Sequence, residues 1–133
     1  MPTPRLPQFA QDIVRAKDLV GLGQAIGTMT NGVVDASDLY RGALVQAVAA
    51  WDRYMHGVVL DRAVEIILGQ RMPGAATRFG LPLHSVAAIA TSPDIATREV
   101  AARTYVAERL ALETYQRPED VGGALAMVGI QKI

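Results

Sequence analysis

The sequence predicts an all-α helical bundle, with one long central helix over about residues 37–68 and about four further helices around it. Three observations predict it. Apolar residues recur at three- and four-residue steps through most of the 133-residue chain. Prolines fall between those periodic segments and leave residues 39–68 uninterrupted. Half of the residues are apolar but only 5% are aromatic, so Ala, Val, Leu and Ile must fill the core at close range. Small contact faces of that kind suit packed helices.

Taken in order, Pro2, Pro4 and Pro7 forbid a helix at the extreme N-terminus. A first helix follows over about 8–28, with Phe9, Ile13, Ala16, Val20 and Ile26 on one face. Gly21, Gly23 and Gly27 weaken its second half and mark a break or a tight crossing. Asn31-Gly32 signals a turn, and Asp35 or Ser37 caps the long helix. In that helix Leu44, Val48, Met55, Val59 and Ile66 form one stripe, flanked by Trp51, Ala47, Val58 and Tyr54. Apolar coverage so wide places it at the centre of a bundle, buried nearly all round. Its remaining face carries Gly42, Ala49, Arg53 and Gly57, whose small members let another helix or a second copy approach closely. Gly69 serves as its C-terminal cap.

Residues 70–81 read as a loop, and Pro82 opens a short helix through Ala90. Ser92-Pro93-Asp94 is a start signal, with Ser92 as cap, for a helix over 93–116 that buries Ile95, Val100, Tyr105 or Val106, Leu110 and Leu112. A last amphipathic helix over 119–128 turns Val121, Leu125 and Val128 inward. No internal repeat or linker interrupts the chain, so it is read as a single domain over 1–133.

Thirteen basic and thirteen acidic side chains cancel, which removes the blanket attraction to phosphate of a general nucleic-acid binder. With no cysteine there is no disulfide framework and no zinc-thiolate site. Neither a leader nor a membrane span is legible, and the expected location is the cytoplasm. Two histidines with carboxylates make a poor metal site, so no metal or other cofactor is expected. The Gly21-Leu-Gly23-Gln-Ala-Ile-Gly27 run has glycines but no preceding strand, which excludes a phosphate loop.

Arg41 and Asp52 stand eleven residues apart, within about 20° of each other around the helix and on its apolar stripe. Burying an unpaired charge is costly, so each is expected to find a partner on another helix or across a subunit contact. His56 follows Asp52 by four residues, a spacing at which the carboxylate can accept a ring hydrogen bond. Arg41, Asp52 and His56 therefore form either a structural network that fixes helix register or the lining of a functional cleft.

Residues 38–59, with Arg41, Asp52, Tyr54 and His56, and residues 115–130, with Gln116, Pro118, Glu119, Gly129 and Ile130, together resemble the HEPN superfamily, and within it the RiboL-PSP-HEPN group. The resemblance implies an α-helical domain that commonly dimerises. In active members it also implies a metal-independent endoribonuclease of RNA-targeting toxin or defence proteins, with an RNA substrate or an antitoxin as partner. Such enzymes place an Arg, four to six residues and a His at the start of a late helix. There the Arg stabilises phosphate charge and the His moves a proton. By the resemblance that helix should follow the Gly129-Ile130 segment, so the chain is read as a C-terminally truncated domain, inactive by itself. The one arithmetic match to the motif is Arg78 with His84, and Gly80 and Pro82 break the helix that would aim them. A non-catalytic dimerisation or partner-binding helical module is the alternative reading.

Overall fold

A computed structural model of the chain describes residues 5–72, 80–111 and 118–128. Five helices occupy them: α1 (Arg5–Met29), α2 (Ser37–Ile67), α3 (Leu83–Ala90), α4 (Ile95–Leu110) and α5 (Pro118–Met127). Among the described residues there is no strand, and the fold is all-α as the periodicity predicts. The chain divides into two compact units, residues 1–54 and 55–133.

The first unit holds α1 and the opening turns of α2. α1 begins at Arg5 and takes Pro7 into its first turn, earlier than expected. The first four N–H groups of a helix have no partner within it, so a proline there forfeits no hydrogen bond. α1 ends at Asn31 and Gly32, both with positive φ, where the Gly32 N–H reaches back to the Gly27 carbonyl at 2.9 Å. The Asp35 carboxylate then accepts the Ser37 hydroxyl and the Ser37 N–H, and these two donors hold it below the ordinary carboxylate range.

After the turn, the start of α2 runs back along α1. Tyr40 lies on Gly23, Arg53 pairs with Asp12 at 2.9 Å, and Phe9 packs against Trp51 and Tyr54 with ring centroids 5.9 and 4.9 Å away. This antiparallel hairpin keeps Phe9, Ile13, Ala16, Val20 and Ile26 wholly or partly covered, the face that their spacing selects.

The second unit is built on the later turns of α2 with α3, α4 and α5. Met55, Val59, Ala63 and Val64 from α2, Ile89 from α3, Ala102, Val106 and Leu110 from α4, and Val128 after α5 are buried. α2 ends in a cap centred on Gly69 at φ 76°, with the Gln70 N–H on the Glu65 carbonyl at 2.8 Å and the Gly69 N–H on that of Ile66 at 3.1 Å. A left-handed residue in that place favours glycine.

α4 starts later than its predicted signal. Its cap is Asp94, whose carboxylate accepts the Thr97 N–H at 2.7 Å, while the Ser92 hydroxyl donates back to the Ala88 carbonyl at 2.9 Å. The buried stripe of α4 is correspondingly Ala102, Val106 and Leu110, and Ile95 and Val100 face water. Leu112, also expected in the core, lies outside the described residues.

Candidate interaction surface

In the first unit the fully buried residues are all small, while Phe9, Trp51 and Tyr54 are partly covered. Ala16, Ala43 and Ala50 are its buried hydrophobic side chains, with Gly23 beside them. Alanine and glycine let two helix backbones approach closely, but they remove little apolar surface from water. Large apolar side chains of the same unit lie outward. Val14, Leu22, Val33, Val34, Leu44, Val45 and Val48 are all exposed, and Leu44 and Val45 reach 66%.

Along α2 the predicted stripe therefore changes character. Leu44 and Val48 are exposed in the first unit, whereas Met55 and Val59 are buried in the second. The expectation that α2 is buried nearly all round holds only for its later turns. In the hairpin, α1 covers the side of α2 that carries Ala43 and Ala50, and the stripe lies on the other side.

Arg41 shares that fate. Its side chain is 78% exposed and pairs with Asp38, itself 96% exposed, at 3.3 Å. Within its own chain the guanidinium is thus not buried and finds no partner on another helix, because among the described residues no element of the first unit lies over that side of α2. Asp52 is half-buried. His56, in the second unit, brings Nε2 to 2.8 Å from the carbonyl of Leu110, the last residue of α4. A carbonyl oxygen only accepts, so Nε2 carries the hydrogen and His56 closes the C-terminal end of that helix.

His84 stands exposed in the first turn of α3, edge-on to Tyr105 with centroids 6.1 Å apart. Arg78, like Gln116, Gly129 and Ile130, lies outside the described residues. Among the described residues no three His, Asp or Glu side chains gather as a metal site. No described helix is long and apolar enough to cross a membrane.

Comparison with family models, curated proteins and solved structures gives no match for this chain.

The second unit carries its own polar ties. Arg103 on α4 donates to Asp61 on α2 at 2.9 Å and to Glu99 at 3.2 Å, and these hydrogen bonds, Asp61 foremost, raise its already high pKa. Arg62 is shifted the other way, by burial first and then by the charge of Arg71. Between α2, α3 and α4 a shallow apolar groove is lined by Ile67, Leu81, Val86, Ile89, Ala90 and Arg98. The surface that sequence reasoning missed is the outward stripe of the hairpin. Periodicity found its residues and assigned them to the core, since a stripe of valine and leucine reads the same whether its cover lies in the chain or outside it.

Proposed function

We propose that this chain is a non-catalytic dimerisation module that self-associates through the α1–α2 hairpin. The observation that carries the reading is the inverted sorting of side chains in the first unit, where alanines are buried and Leu44, Val45 and Val48 face water. A contact whose fully buried apolar side chains are alanines removes little apolar surface from water, and pairing two hairpins into a larger bundle would add apolar burial. Sedimentation velocity across a concentration series tests this. The wild-type chain should populate a dimer that grows with concentration, and Leu44→Glu should remain a monomer of unchanged helicity. A wild-type chain that stays monomeric throughout removes the proposal.

A second reading follows from the resemblance, and one observation favours it: α2 runs unbroken through Arg41, Asp52, Tyr54 and His56. In that reading the chain is a HEPN-like domain related to metal-independent endoribonucleases of toxin or defence proteins. RNA or an antitoxin would then be its partner. Little or no RNA cleavage by the chain alone is expected. Cleavage abolished by Arg78→Ala or His84→Ala would instead mark those two side chains as catalytic.

A further inference from the structure

Arg41, Val45, Val48 and Asp52 follow one another at steps of four, three and four residues, the spacing of a helix–helix seam. At about 100° per residue all four fall within about 60° around the axis of α2. Val45 is 66% exposed and Val48 37%, with the exposed Arg41 at one end and the half-buried Asp52 at the other. Read along the helix, the seam is cation, valine, valine, anion.

From this pattern, and resting on the self-association proposed above, we infer that two copies pack α2 against α2 antiparallel about a two-fold axis. In that register each Arg41 faces the partner's Asp52. Each Val45 likewise faces the partner's Val48, because a two-fold contact between antiparallel helices pairs positions of constant sum. Two ion pairs then bracket four valines. A parallel arrangement in register would set Arg41 against the partner's Arg41 and Asp52 against the partner's Asp52, so charge selects the antiparallel sense. The contact that Arg41 gives up is with Asp38, an exposed pair of the kind that contributes little.

Gly42 supplies a second, independent observation. A β-carbon there would meet nothing within 4 Å among the described residues, so no described neighbour calls for glycine at an interior position of α2. On the flank of the antiparallel seam Gly42 falls beside the partner's Ala49, and Ala49 is exposed in its own chain. Two small residues at that point let the backbones close up. A large side chain would hold them apart.

The experiment exchanges charges across the seam and reads assembly by sedimentation velocity, with circular dichroism on every variant. Arg41→Asp alone sets two carboxylates against each other, and Asp52→Arg alone sets two guanidinium groups against each other. Each is expected to weaken self-association at least tenfold. An equimolar mixture of the two single variants should form a heterodimer, since the carboxylate introduced in one chain then meets the guanidinium introduced in the other, and the remaining native Arg41 and Asp52 meet as before. The double variant should dimerise by itself. Gly42→Leu should be a folded monomer, and with the exposed Arg41→Asp it decides the matter if Asp52→Arg loses helicity. Single variants that dimerise as the wild type does would overturn this register while leaving hairpin assembly standing. A monomeric wild-type chain would overturn both.

Discussion

The ring of Tyr40 lies across Gly23 so closely that a β-carbon built on the glycine would sit 2.8 Å from Cε1 and 3.1 Å from Cζ. Nothing lies within 4 Å of the same point at Gly21 or Gly27. The three glycines of α1 thus have different standing, although the sequence presents them as one cluster. Gly21→Ala should stabilise the protein by up to about 1 kcal/mol, the difference in helix propensity. Gly23→Ala should fall short of that gain, because the Tyr40 ring must swing aside. In a Tyr40→Ala background the two alanines should become equivalent in urea unfolding. Equal gains in the wild-type background would show that the ring moves freely.

His56 and the Leu110 carbonyl form a tie within the second unit, at 2.8 Å and partly buried. Removing the donor leaves that carbonyl short of a partner, so His56→Ala should cost roughly 1–2 kcal/mol. His56→Gln, whose amide nitrogen reaches about as far as Nε2, should recover part of the loss, and His56→Asn should recover less. Chemical denaturation of the three variants orders them. If all three are alike, the side chain contributes through packing alone.

Asp94 at the start of α4 gives a pH-dependent prediction. The Thr97 N–H first, and then the Thr97 hydroxyl, hold its carboxyl below the ordinary value. A depressed carboxylate contributes stability that is present above its unfolded pKa, about 3.9, and is lost as the pH falls through the folded one. Asp94→Ala should therefore lower the thermal midpoint by a few degrees at neutral pH, and the gap from the wild type should narrow as the pH falls through the folded-state pKa, because the protonated carboxyl keeps an acceptor but loses its charge. Asp94→Asn, which still caps but carries no charge, should remove the pH dependence and keep most of the stability. A gap that persists unchanged into acid would mean that the cap is not the cause.

Much of the helical framework was legible because its boundaries are set by local chemistry. Asn31-Gly32 turns through positive φ, Gly69 closes α2 in the left-handed region, and Asp35 engages Ser37, each within a few residues. Ser92 against Asp94 was harder, since both side chains can cap and the choice depended on where the preceding α3 ended and drew the Ser92 hydroxyl back to Ala88. The candidate surface was legible only in its membership. The spacing of Arg41 and Asp52 puts both on one side of α2, but which side of α2 the contacts with α1 cover is a tertiary fact. No periodicity in α2 encodes it.

Leu44 and Met55 carry that lesson into a measurement, as two members of one stripe with opposite surroundings. Met55 is 3% exposed among the core side chains of the second unit, and Leu44 is 66% exposed in the first. Truncating a buried Met to alanine removes its transfer energy and leaves a cavity, so Met55→Ala should cost about 2–4 kcal/mol in the monomer. Leu44→Ala opens no cavity in the monomer and raises helix propensity, so at dilutions that favour single chains it should be neutral within about 0.5 kcal/mol. At concentrations that favour assembly Leu44→Ala should become destabilising, because association adds to apparent stability by mass action. Equilibrium unfolding at two protein concentrations separates the cases. A large cost for Leu44→Ala in the dilute sample would place this side chain in a core within its own chain.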